Sequence, residues 1–197
     1  MTRRVAVLLL AGPVVSAAAP PGVGGAAFAA AMAEDVFTVF GDLDGVDEAI
    51  AHTPAWTGLA QRIRWPQTRL FAVPEADAAA GALAAAAAAG STEAVLVAAD
   101  APDLPALHLA KVFSALGTAA IAVAVSVTGG LVLLATRLPA PTLTRTRSGA
   151  DLDGGPPAGA RETLPWRRLR QPADLARLDP GLEGWEATRA LLSGLRL

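Results

Sequence analysis

Residues 94–109 read AVLVAADAPDLPALHL, and no other stretch narrows the choice of fold as far. Residues 94–99 form a short apolar run, β-branched at Val95 and Val97, entered from the turn-rich Gly90-Ser91-Thr92-Glu93. A run of this length between turn signals fits a strand buried on both faces of a parallel sheet. It ends in an acidic turn holding Asp100, Pro102, Asp103 and Pro105. Helical character follows over residues 107–116 and stops at Gly117. Ligands of open α/β sheets bind at the carboxyl ends of strands. Asp100 and Asp103, placed in such a turn, can hold a divalent cation and a substrate phosphate or sugar. The same residues also fit an Asp N-cap with Pro in the first helical turn.

The alternation of strand and helix continues on both sides. Residues 5–10 read as a first strand, and residues 26–40 as a helix with Phe28, Met32, Val36 and Phe40 along one face. Between them lies a loop of small residues that begins at Gly12. Strand, glycine loop and helix is the layout of a nucleotide-binding turn, which makes Gly12 a candidate phosphate contact. The loop lacks the spacing of a P-loop or dinucleotide fingerprint, and no Lys or Arg occurs between Arg4 and Arg62. Residues 41–47 carry Asp42, Asp44 and Asp47 but no closing glutamate of a calcium loop, and read as a solvated acidic turn. A short element over 47–52, a helix end within 56–65 and a strand over 68–73 follow. Trp56 and Trp65 suit either stacking on a base or core packing.

Residues 75–89 are rich in alanine and read as a crossover helix. Residues 119–127 and 131–135 read as strands joined at a tight corner, Thr128-Gly129-Gly130. His108 reads as a solvent-facing or capped helix residue. Residues 139–160 shift to Pro and Gly, with Asp151 and Asp153 among them, and read as a surface excursion. Arg161, Arg167, Arg168 and Arg170 then surround Trp166, and helices are expected over 172–178 and 185–195. The whole pattern predicts a three-layer α/β/α fold with a mostly parallel sheet. A length of 197 residues suits a single domain over 1–197.

Composition removes several chemistries. The chain has no cysteine, which excludes disulfides and thiol catalysis, and its two histidines, His52 and His108, show no paired metal motif. Lys111 is the only lysine, and the formal net charge of −2 gives no general affinity for nucleic acid. Apolar residues make up 53% of the chain, largely alanine, yet residues 5–11 are too short and residues 82–89 too weakly hydrophobic to span a membrane. Thr2-Arg3-Arg4 imitates the start of a signal peptide, but the chain continues as an ordinary domain. A cytoplasmic location is expected, and the apolar surface of the alanine-rich helix would suit a homodimer.

The order of motifs resembles a bacterial nucleotide-diphospho-sugar transferase family of the glycosyltransferase-A (GT-A) type. That family's pattern runs strand, Asp-Cys-Pro-Asp-Leu, helix, strand, Asp-Gly-Gly, strand, and a final Asp-Val-Asp-Thr-Pro-Glu-Asp-Leu. Asp100-Ala101-Pro102-Asp103-Leu104 matches the first signature, Thr128-Gly129-Gly130 the second in part, and Gln171-Pro172-Ala173-Asp174-Leu175 the tail of the third. Ala-Met-Ala-Glu-Asp-Val within residues 27–37 and Thr188-Arg189-Ala190-Leu191-Leu192 are similar to the related 2-phospho-lactate guanylyltransferases.

The resemblance implies transfer of a sugar from a nucleotide-sugar, or of a nucleotidyl group from an NTP, with Mg or Mn. Asp100 would bind the cation and Asp103 would orient ribose or acceptor. Gly12, Gly129, Gly130, Arg168 and Arg170 would meet the substrate. The departures are specific: the first loop has no basic residue, Thr128 replaces an aspartate, and the two metal-side aspartates fall at Arg168 and Arg170. An arginine can contact phosphate without a metal. The alternative is a degenerate member kept as a binding or partner subunit, or repurposed for another reaction. A further alternative is an unrelated α/β domain, which sheet order would expose.

Overall fold

The computed structural model describes residues 2–140 and 152–194. Seven strands form one sheet: β1 Arg4–Leu10, β2 Val46–His52, β3 Arg69–Ala72, β4 Glu93–Ala98, β5 Ile121–Val125, β6 Leu131–Arg137 and β7 Arg161–Glu162. Their order is β3-β2-β1-β4-β6-β5-β7. The helices are α1 Gly25–Thr38, α2 Thr57–Ile63, α3 Ala78–Ala88, α4 Ala106–Ala115 and α5 Glu186–Ser193. β1 runs parallel to β2 and β4, β2 parallel to β3, and β5 parallel to β7. Only β6 is antiparallel to both neighbours. The sheet is mostly parallel, as the strand–helix alternation predicts. The expectation for residues 94–99 is corrected on one side, because the Gly129-Gly130 corner turns the chain back and inserts β6 between β4 and β5.

From β1 the chain moves outward through β2 and β3. It then returns over α3 to β4, on the opposite side of β1. The strand order reverses there, which leaves a crevice beyond the carboxyl ends of β1 and β4. From Val5 to Leu10 β1 is apolar because both faces are covered. Val5, Val7 and Leu9 pack with Ala78, Ala82, Leu83 and Ala86 of α3. Ala6, Leu8 and Leu10 pack on the other face with α1, α2 and α4. Each fully buried leucine contributes about 1.5–3 kcal/mol. Small side chains let α3 lie close: a Cβ on Gly81 would meet Val73 Cβ at 3.3 Å.

Phe28, Met32, Val36 and Phe40 are all buried, but they split between two clusters. Val36 and Phe40 face the sheet, while Phe28 and Met32 meet Ala18 and Leu169 beneath the C-terminal segment. The element expected over 172–178 is a 3-10 helix, Pro172–Arg177. Its start is set by Asp174, whose carboxylate accepts from the N–H groups of Arg170 and Gln171 at 2.9 and 3.0 Å. Within the Pro/Gly-rich excursion, residues 141–151 lie outside the described residues. Leu152 is buried, and its carbonyl accepts the Leu131 N–H at 2.7 Å. That end of the excursion is therefore packed onto β6, not spread over the surface. His108 is likewise buried, which overturns the solvent-facing alternative of the two expected for it. Among the described residues no helix is long and apolar enough to cross a membrane.

α5 is held to α1 by one carboxylate. Asp35 accepts the N–H groups of Ala187 and Thr188, both at 2.8 Å, in the first turn of α5. These are donors that a helix start cannot satisfy internally. Burial pushes the Asp35 carboxyl up from its ordinary 3.8, against the lowering effect of the Thr188 and Ala187 contacts. Asp35→Ala should cost about 1–3 kcal/mol in chemical denaturation, since buried N–H groups lose their acceptor. Asp35→Asn keeps an acceptor and removes the charge. A carboxyl raised in the folded state stabilises fully below its unfolded pKa and loses that contribution as pH rises through the folded value. Wild-type stability should therefore fall relative to Asp35→Asn as pH rises above the ordinary carboxyl value of 3.8 and through the raised folded value, in denaturation curves measured across that range.

Candidate functional site

β4 delivers Asp100 to the crevice. Its carboxylate lies on the wall of a cleft of about 140 Å³, lined from β1 by Leu9 and Ala11 and from β4 by Ala98 and Ala99. Met32 and Ala29 of α1 and Trp56 complete an apolar wall. Trp56 is buried, and its indole N–H donates to the Gly12 carbonyl at 3.0 Å. Trp65 belongs to the core and packs on Phe37 with ring centroids 4.7 Å apart.

Among the described residues, four charged side chains meet at one end of the cleft: Asp100, Asp153, Arg168 and Arg170. Arg168 Nε donates to Asp100 Oδ1 at 2.5 Å. Its Nη1 donates to Asp153 Oδ1 at 2.9 Å, to the Leu152 carbonyl at 3.2 Å and to the Leu131 carbonyl at 3.3 Å. Arg170 pairs with Asp153 through Nη2, and its Nε stands 3.9 Å from Asp100 Oδ2. The two arginine side chains differ in access, at 9% exposed for Arg168 and 31% for Arg170. Leu169, between them, faces away into the cluster of Phe28 and Met32. Its N–H donates to the Asp100 carbonyl at 2.7 Å, which fixes the segment along the tip of β4.

The remaining predicted residues fall around this centre. Gly130 has φ +76°, and a Cβ there would lie 2.7 Å from the Leu152 carbonyl and 3.2 Å from Arg168 Nη1. It gives the 152–153 backbone and Arg168 room to approach. Gly129, at φ +102°, faces open space. Thr128, where the resemblance has an aspartate, donates through Oγ1 to the Arg168 carbonyl at 2.8 Å. Gly12 has φ +74°, but its N–H points to Glu75 Oε1 at 3.3 Å and the residue does not line the cleft.

Asp103 also stands outside the cleft lining. Its buried carboxylate pairs with the Arg167 guanidinium, with Nε at 2.8 Å, and accepts the Trp166 indole N–H at 3.2 Å. His108 packs against Trp166 with the rings tilted and their centroids 4.6 Å apart. Burial pushes the His108 imidazole down from its ordinary 6.5, and the nearby Arg167 charge adds to this. α4 begins after Pro105 with no side-chain cap, so neither aspartate serves as its N-cap.

Asp153 is the site residue that sequence reasoning missed. Its only signal was an acidic residue in a Pro/Gly-rich stretch.

The carboxylates do not suit a divalent cation in this arrangement. Asp100 and Asp153 are both directed onto guanidinium groups, which repel a cation. Among the described residues no group of three or more His, Asp or Glu side chains converges to hold one.

An open α/β sheet with its cleft at the β1/β4 switch point is the fold of the nucleotide-diphospho-sugar transferases. The chain belongs to the bacterial family described as "Uncharacterized protein conserved in bacteria (DUF2064)", whose model matches residues 36–148. A candidate nucleotide-diphospho-sugar transferase from Desulfovibrio desulfuricans G20 is similar at 16% identity and TM-score 0.71, covering 98% of each chain. CMP:2-keto-3-deoxy-manno-octonic acid synthetase complexed with CTP is similar at 10% identity and TM-score 0.57, covering 98% of this chain and 99% of that one. The manganese complex of Rv0371C from Mycobacterium tuberculosis H37Rv is similar at 19% identity and TM-score 0.51, again covering 98% and 99%. No curated protein matches the sequence.

Two substitutions separate support from access. Asp103→Ala should cost about 3 kcal/mol or more, since it leaves Arg167 without its buried partner. Gly130→Ala should lower the thermal midpoint further than Gly129→Ala. Both strain a positive φ, but only Gly130 also meets a backbone oxygen.

Proposed function

We propose that the cleft binds a nucleotide or nucleotide-sugar, in the manner of a nucleotidyl- or glycosyltransferase, with Arg170 as the group that meets phosphate. The observation that carries this reading is the Arg170 side chain on the cleft wall at the switch point of the sheet, 31% exposed, with its Nε in no hydrogen bond among the described residues and 3.9 Å from Asp100. Arg168 is already bound on several sides and supports the site, whereas Arg170 is the less buried of the two and its Nε makes no hydrogen bond to a described residue. A guanidinium recognises phosphate oxygens through paired, charge-assisted hydrogen bonds. The apolar wall formed by Leu9, Met32 and Trp56 suits the less polar part of such a ligand. At about 140 Å³ the enclosed space is below the usual range for a whole ligand, so part of the ligand projects outward. Asp103 takes the role of a positioning residue for the Trp166–Arg167 segment.

A second reading is a binding or partner subunit that has given up group transfer. It is favoured by Asp100 and Asp153 both being engaged by guanidinium groups, which leaves neither available as a base or metal ligand.

Calorimetric titration with CTP, UTP, GTP and a nucleotide-sugar tests ligand binding. Saturable heat is expected for at least one. Arg170→Ala should weaken its affinity about tenfold or more, the size of a charged hydrogen bond. No heat with any of them at about millimolar ligand would overturn the reading. Release of pyrophosphate or nucleoside diphosphate from the bound ligand would favour transfer over simple binding.

A further inference from the structure

We infer that Arg168 is a built-in cation, which fills from within the chain an oxygen cage that would otherwise suit a metal ion. Four oxygens converge on one guanidinium: Asp100 Oδ1, Asp153 Oδ1 and the carbonyls of Leu131 and Leu152, at 2.5 to 3.3 Å. Two carboxylates with two backbone carbonyls form the hard, anionic donor set that divalent cations take. Here every one of these oxygens accepts an N–H. The guanidinium is nearly buried, and its backbone is gripped by Thr128 Oγ1. Gly130 is the residue whose missing Cβ makes the space. A tethered charge of this kind cannot be removed by a chelator, and it blocks the approach of a second cation.

The inference does not depend on the ligand proposed above, and a failed nucleotide titration would leave it standing. Its test is cation binding by the full chain, followed by calorimetry and by the electron paramagnetic resonance of added Mn²⁺. The wild-type chain should show no saturable Mn²⁺ binding below about 1 mM. Its thermal midpoint should also be the same in EDTA and in Mn²⁺. Stoichiometric Mn²⁺ binding by wild type that Asp100→Asn abolishes would overturn the inference.

Arg168→Ala empties the cage and supplies the positive arm. Guanidinium or Mn²⁺ should bind the vacated oxygens and raise this variant's midpoint by about 3–6 °C at roughly ten times the dissociation constant, with no effect on wild type. A folded Arg168→Ala that responds to neither cation would overturn the inference. If that variant does not fold, the wild-type Mn²⁺ measurement decides alone.

Discussion

Arg168 brings a full positive charge to a place where its side chain is 9% exposed. A charge taken out of water at this depth costs several kcal/mol unless opposite charge and hydrogen bonds offset it. The offset comes from three parts of the chain: the tip of β4 through Asp100, the start of β6 through Leu131, and the Pro/Gly-rich stretch through Leu152 and Asp153. None of these contacts is local in sequence. Removal of the guanidinium would leave two carboxylates facing each other, so the group makes the closure of this end of the sheet conditional on one side chain. This is the interaction on which the shape of the cleft depends.

A second staple lies beside it. Arg167 reaches Asp103 while Arg168 reaches Asp100, and the Leu169 N–H reaches the Asp100 carbonyl. Two neighbouring arginines thus join two acids of one turn, and the segments run past each other in opposite senses. Asp103 and His108, both buried, and the partly buried Trp166 form the layer behind the cleft. The neutral form of His108 that burial favours spares the layer an additional cation next to Arg167. Asp35 performs a comparable task at the far end of the same segment, where it joins α5 to α1.

Much of the fold is legible in the sequence, because strand and helix leave periodic marks. The apolar run of residues 94–99, the alanine-rich crossover and the glycine corner at 129–130 each lie in the element expected of them. Asp100 is legible for the same reason: it directly follows a central strand, and such positions open into a crevice. The other half of the site is not. Asp153 sits in a stretch whose composition signals only a turn, and its partners lie 15 and 17 residues further on. Asp103 looks equivalent to Asp100 at three residues' distance, yet the turn sends the two carboxylates in different directions. Only the position of a segment more than sixty residues away decides which of them faces the cleft. The split stripe of α1 has a similar cause, since the surface that covers Phe28 and Met32 comes from Leu169.

The third motif shows how a site can change its chemistry and keep its geometry. Arg168 and Arg170 both turn to the cleft while Leu169 turns to the core, so the alternation of an Asp-x-Asp pattern survives with its charge reversed. In a metal-dependent site, acids on such a segment and at the strand tip share a cation from solution. Here the segment itself carries the cation, and the acid contributed by Asp153 restores the balance. The two arginines then divide the work by depth. Arg168, enclosed by oxygens, sets the position of the carboxylates. Arg170 has 31% of its side chain exposed, and its Nε makes no hydrogen bond among the described residues and stands beyond reach of Asp100, which is why the proposed reading assigns the phosphate to it. Among the described residues the two acids and two arginines of the cleft balance, so under the proposed reading a phosphate enters by exchange of one of these contacts, and the outer arginine is where that exchange costs least desolvation.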